Sequence, residues 1–123
     1  MSHSGGRLRR VVDLVHADFL RRFTIAELAA VASVHPAHLA REFRRHHHLS
    51  IAAYLRRLRL DWATEQLVGS DRSTADIAAA AGFADQSHFT RAFRRHTGLP
   101  PLGFRRAHRW PSVHQRARGL LSS

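Results

Sequence analysis

The chain contains no cysteine, which excludes disulfides, thiolate catalysis and cysteine-ligated zinc. It also contains no lysine, so all twenty basic residues are arginine, set against nine acidic ones. No run of 18 apolar residues suggests a membrane span, and Met1-Ser2-His3-Ser4-Gly5-Gly6 lacks the apolar stretch of a signal peptide. Glycine and proline are sparse, and no glycine-rich phosphate loop, metal-spaced carboxylate set or serine, histidine and aspartate set on a strand-turn-helix is present. These absences disfavour an enzyme and point to a cytoplasmic, nucleoid-associated protein with no cofactor, no metal and no membrane partner.

What is present is charge: +11 over 123 residues, with the histidines taken as neutral. Arginine offers a planar fork that matches phosphate and guanine edges, so double-stranded DNA heads the expected partners and an anionic membrane comes second. Two lobes of about 50 residues would each be marginal alone and should lean on a shared element.

Apolar residues at Leu8, Val11, Val12, Val15 and Phe19 predict a helix over Arg7–Leu20. Thr24 and Glu27 form a capping-box pattern opening a second helix through Ala32. Ser33-Val34-His35 reads as a tight turn, and Pro36 suits the first position of a third helix running to about His47. Ser50–Val68 is a long helical stretch with Tyr54, Leu55, Leu58, Trp62 and Leu67 facing inward, broken by Gly69-Ser70-Asp71-Arg72. Then the pattern returns. Ser73 and Asp76 repeat the cap, a short helix reaches about Ala81, Gly82-Phe83-Ala84-Asp85 turns, and a helix follows over Gln86–His96. Gly98-Leu99-Pro100-Pro101 closes that unit, and Pro101 opens a last helix through about Ala107.

The halves align. Thr24–Ala29 matches Ser73–Ala78 at an offset of 49, and His38–His46 matches His88–His96 at an offset of 50, so one residue has entered the second turn. Each unit has helix-turn-helix grammar. Leu39 with Phe43, and Phe89 with Phe93, are four apart and should plug the second helix of each unit into its core. At about 100° per residue, Ala37, Arg41, Arg44 and Arg45 fall opposite that face, with His38 beside them. The other unit correspondingly presents Ser87, His88, Arg91, Arg94 and Arg95, flanked by Gln86 and Thr90. Residues near the helix start suit base edges: Ala37, His38, Arg41, Gln86, Ser87, His88, Thr90 and Arg91. The paired arginines near the helix end suit phosphates: Arg44, Arg45, Arg94 and Arg95. Some of these arginines have Glu42 or Asp85 as alternative partners. Gln86, Ser87 and Thr90 read as contacts to bases or backbone, with a helix cap as the alternative for one of Gln86 and Ser87. Arg59 is expected either to tie the lobes together, the favoured reading, or to contact a phosphate, and Phe83 to pack at the turn. His46-His47-His48 invites a metal, but consecutive helical histidines point about 100° apart and do not converge on one ion.

The pattern resembles the AraC/XylS family of bacterial transcription regulators over about residues 7–107. In the second half Ile77-Ala78, Gly82-Phe83, Asp85, Ser87, Phe89, Arg91, Phe93-Arg94, Gly98, Pro101 and Phe104-Arg105 carry it, with Phe104 in place of the usual Tyr. In the first half Leu28-Ala29, Ser33, Leu39, Arg41, Phe43-Arg44, Tyr54, Arg59 and Ala63 fit, while His48 stands for a glycine and Ile51 for a proline. The resemblance implies an all-α fold of two three-helix lobes joined by a connecting helix, with two recognition helices in successive major grooves about 34 Å apart. The expected division is a disordered 1–6, a first lobe over 7–49, the connecting helix over 50–68, a second lobe over 69–108 and a basic tail over 109–123. The resemblance further implies a transcription activator with RNA polymerase as a second partner. A stand-alone chain, which Met1 favours, would act as a monomer, and the end of a longer regulator would act as a dimer. The competing reading is a non-specific, architectural nucleic-acid binder.

Overall fold

The computed structural model describes residues 3–108, with side chains from Gly6 onward. Among the described residues there are seven helices and no strand: α1 (His3–Ala17), α2 (Ile25–Ala32), α3 (Pro36–His47), α4 (Ile51–Gly69), α5 (Thr74–Ala80), α6 (Gln86–Thr97) and α7 (Pro101–His108). Two compact units divide inside α4, one ending at Arg59 and the other beginning at Leu60.

The first unit closes around Leu8, Val11 and Val15 of α1, Leu28, Ala29 and Ala32 of α2, Leu39 and Phe43 of α3, and Ile51 and Leu55 of α4. Phe43 is fully buried and meets Tyr54 edge-on, with ring centres 5.3 Å apart. The capping box at Thr24 forms in both directions: Thr24 Oγ1 accepts from the Glu27 amide at 3.1 Å, and Glu27 Oε1 accepts from the Thr24 amide at 2.9 Å. The bond from the Thr24 amide is the main reason the Glu27 carboxyl sits below its usual range.

The second unit repeats this plan with the rest of α4 in the place of α1. Leu60, Ala63 and Leu67 pack with Ile77, Ala78, Phe89, Ala92 and Phe93, and Phe93 meets Phe104 edge-on at 5.4 Å. One helix thus supplies an apolar stripe to each core, so its sequence has weak periodicity. Trp62, expected to face inward, is only half-buried and packs at the margin of the second core, where Phe83 also packs.

Each helix-turn-helix turn ends its first helix with the same pair of backbone bonds. Val34 and Ser33 amides donate to Ala29 and Ala30 carbonyls, and Phe83 and Gly82 amides donate to Ala78 and Ala79 carbonyls. Ser33 and Gly82 take the left-handed conformation, with φ of 58° and 86°. The next helices begin at the N-caps His35 and Asp85, which identifies Ala84 as the extra residue of the second turn.

Several expectations need correction. The first helix starts at His3 and not Arg7, because its backbone ladder continues beyond the apolar face, so 3–6 are helical and not disordered. It ends at Ala17, and Leu20 is exposed in the following turn. Arg59 makes no tie between lobes: its Nε donates to the Phe19 carbonyl at 2.9 Å and its Nη2 to the Arg21 carbonyl at 3.0 Å, all within the first unit. Burial, then the nearby Arg22 charge, lowers the guanidinium's proton affinity, and the two carbonyls compensate for the lost water. The basic tail 109–123 lies outside the described residues.

Candidate nucleic-acid interface

Both candidate recognition helices are twelve residues long, α3 opened by Pro36 at its first position and α6 by Gln86. Each is anchored on one side by buried residues, Leu39 and Phe43 in α3 and Phe89, Ala92 and Phe93 in α6. The rings of Phe89 and Phe93 stand 5.5 Å apart, one turn above the other. Burial of these large side chains determines which face is left to solvent.

On the free face of α3, Ala37, Arg41, Arg44 and Arg45 are exposed, while His38 is half-buried. His38 lines a narrow crevice with Arg7, Val34 and Glu42, which turns it away from the outermost position. Arg45 is committed in part: its Nη2 donates to Glu42 Oε1 at 2.5 Å. Glu42 is the one acidic residue of either recognition helix, and its other oxygen faces His46 Nε2 at 3.6 Å. The sequence already offered Glu42 as an alternative partner, and Arg45 is the arginine that takes it.

On α6, Gln86, Ser87, His88, Arg91, Arg94 and Arg95 are exposed and Thr90 is half-buried. None of Arg91, Arg94 and Arg95 makes an ion pair among the described residues. Asp85 does not pair with them; its Oδ1 accepts from the His88 amide at 2.7 Å and caps the helix. Neither Gln86 nor Ser87 is the cap. Gln86 Nε2 instead donates to Thr74 Oγ1 at 2.9 Å. The His88 ring rests edge-on against Phe83 at 5.2 Å, so this exposed side chain has a defined direction. In α3 the cap is His35, whose Nδ1 accepts from the Ala37 amide at 3.1 Å. The first helix start therefore carries no carboxylate where the second carries Asp85.

Sequence reasoning missed the supports behind these faces. Arg105 Nε donates to the Leu67 carbonyl at 2.9 Å, and its Nη2 donates to the Ser70 and Arg72 carbonyls at 3.2 and 2.6 Å. That clamp holds the loop entering the second helix-turn-helix, as Arg59 holds the loop entering the first. His96 Nε2 lies 2.8 Å from Asp61 Oδ1 and joins the end of α6 to α4. The Asp85 cap was readable from an Asp directly before a helical start; the clamps span more than thirty residues and leave no local signal.

Among the described residues no group of three or more histidine, cysteine, aspartate and glutamate side chains could hold a metal, and no helix is long and apolar enough to cross a membrane. The geometry defines a tandem helix-turn-helix protein with two arginine-bearing helix faces.

Comparison with known proteins agrees. The helix-turn-helix domain family matches residues 28–107, and the chain belongs to this family, which is of the AraC type. It is 33% identical over 91 residues to the HTH-type transcriptional regulator YobQ of Bacillus subtilis, covering 74% of this chain and 38% of YobQ. It is 31% identical over 105 residues to the HTH-type transcriptional activator RhaS of an Enterobacter species, covering 85% of this chain and 38% of RhaS. The chain thus spans less than half the length of these curated relatives. Among solved structures, the DNA-binding domain of AdpA, determined in complex with a target DNA, superposes with a TM-score of 0.76 at 28% identity, covering 83% of this chain and 92% of that one. A transcriptional regulator with an AraC-type DNA-binding domain from Chromobacterium violaceum superposes at 0.80 with 25% identity, over 91% of this chain and all of that one. The family and fold are those of DNA-binding transcription regulators.

Proposed function

We propose that this regulator is sequence-specific and inserts α3 and α6 into adjacent major-groove segments of double-stranded DNA. Ala37 and Arg41 meet base edges from α3, with half-buried His38 reaching them only from the flank, and Gln86, Ser87, His88, Thr90 and Arg91 do so from α6. Arg44, Arg45, Arg94 and Arg95 neutralise phosphates. The observation that carries this reading is the pair Arg41 and Arg91, which are exposed at matching positions of two helices whose opposite faces are buried. An arginine fork in the N-terminal half of a major-groove helix suits the O6 and N7 acceptors of guanine. The reading extends to activation through RNA polymerase in the cytoplasm, with the chain spanning two half-sites as a monomer if it acts alone and as part of a dimer if it belongs to a longer regulator.

Selection of bound DNA from a random pool tests it. The expected product is an asymmetric motif of roughly 15–20 base pairs with half-sites about one helical turn apart. A preference of at least about 10³-fold over random DNA is expected to survive as salt rises, while absolute affinity falls. With +11 net charge, tight binding that shows no motif would mark the chain as a non-specific, architectural binder and end the specific reading.

A further inference from the structure

The two units differ where the first residues of their helices meet. In the second unit Thr74 opens α5 and Gln86 opens α6, and Gln86 Nε2 donates to Thr74 Oγ1 at 2.9 Å. At the equivalent positions of the first unit stand Ile25 and Pro36, whose side chains have no hydrogen-bonding group. The polar pair is therefore a property of the second unit alone, and the α2 and α5 caps, the turns and the buried aromatic rings do not require it. Gln86 is exposed, and a free glutamine at such a place would sample many rotamers and both orientations of its amide.

We propose that Thr74 is a positioning residue that orients the Gln86 amide to read an adenine at the edge of the site; the proposal rests on the functional reading above. The amide nitrogen faces Thr74, and the hydroxyl, which can donate or accept, holds that end of the amide in place. With one N–H committed to the threonine hydroxyl, Gln86 keeps a second N–H and its Oε1. That donor and acceptor match the N7 and N6 groups of adenine. Guanine presents two acceptors there, O6 and N7, and leaves Oε1 facing an oxygen or nitrogen lone pair. Orientation before binding removes part of the ordering cost at the moment of contact. Thr74 thereby acts on specificity without touching DNA.

The test uses the full 123-residue chain in bound-DNA selection, with thermal melting of each variant. Gln86→Ala should erase a preference for adenine at one position of the wild-type motif. Thr74→Val, which keeps the side-chain shape and removes the hydroxyl, should lower that one preference by about five- to tenfold with Tm and all other positions unchanged. Thr74→Ser should restore it, an outcome a purely structural role would not give. The inference is overturned if Thr74→Val keeps the adenine preference, if it weakens every position equally, or if the position lost in Gln86→Ala is not adenine. A wild-type chain that selects no motif overturns the functional reading and this inference together.

Discussion

The two helix-turn-helix units meet the same backbone demands with different residues. Where the first helix of each unit ends, one has Ser33 at φ 58° and the other Gly82 at 86°; where the recognition helix ends, one has His48 at 62° and the other Gly98 at 89°. A residue with a Cβ in the left-handed region costs about 1–2 kcal/mol, and glycine does not carry that cost. The first recognition helix is capped by an imidazole and the second by a carboxylate. Both units share the buried phenylalanine, the edge-on aromatic partner from the following helix and the arginine clamp on the entering loop. The common elements hold the helix pair together. The divergent ones set how much strain each unit carries, and the first unit carries more.

The shared elements are the place to expect the largest effects. Phe93→Ala should destabilise the second unit by about 3–5 kcal/mol, since the ring is fully buried and touches Phe89 and Phe104. Phe43→Ala should do the same in the first unit, where the lost partners are Tyr54 and His47. Urea unfolding followed by residue-resolved amide exchange checks both. A variant whose unfolding midpoint stays at the wild-type value would contradict the burial.

The exposed faces come next. Arg91→Ala and Arg41→Ala should each lose about 1–3 kcal/mol of specific binding and blur one or two base positions. The paired arginines then sharpen the contrast between units. Arg95→Ala should reduce the slope of log affinity against log salt by about one unit. Arg45→Ala should reduce it less, because Glu42 already neutralises that guanidinium in part. Equal slopes for the two variants would show that the Glu42 pair opens freely on DNA.

Much of this contrast was legible beforehand, and its limits have physical reasons. Caps, turns and helix periods are local, so α3 was read as it stands and the capping box at Thr24 with both its bonds. The fold class followed from the family resemblance, with the repeat and the helical periods in support. Leu60 and Ala63 were not read as core, because α4 serves two cores and its pattern fits no single face. The start of α1 at His3 escaped because no apolar period marks those residues. Arg59 was recognised as a tie but placed between lobes, since its carbonyl partners are about forty residues away in the chain. In the candidate site the exposed arginines were readable from helical angle. The Gln86 to Thr74 bond depends on how α5 and α6 cross, which no spacing reveals.

The left-handed positions give a smaller and signed test. Gly98→Ala should destabilise the second unit by about 1 kcal/mol. A Cβ there would meet no atom within 4 Å, so the loss would be backbone strain alone. His48→Gly should move the first unit the other way, stabilising it by about 0.5–1 kcal/mol after the extra unfolded-state entropy of glycine is deducted. Thermal melts of the two variants check both signs, and a destabilised His48→Gly would mean that the imidazole makes a contact worth more than the strain.

The weakest predicted effect is a pH dependence of the first unit. The His47 ring stacks on Phe43 at 4.3 Å and tilts against Tyr54 at 5.4 Å. Burial, and after it the neighbouring charges of His46 and His48, hold its pKa below the ordinary 6.5. The unfolded chain therefore takes up this proton at a higher pH than the folded one. Its contribution to stability is intact above pH 6.5 and is lost as pH falls through the lowered folded value. Thr97 occupies the matching place in α6 and does not titrate; its hydroxyl donates to the Phe93 carbonyl at 3.0 Å. Amide exchange in α3 should accelerate relative to α6 between about pH 7 and pH 5 after correction for intrinsic rates, and His47→Thr should remove the difference. If that variant leaves the pH profile of α3 unchanged, proton uptake at His47 is not what loosens the first recognition helix.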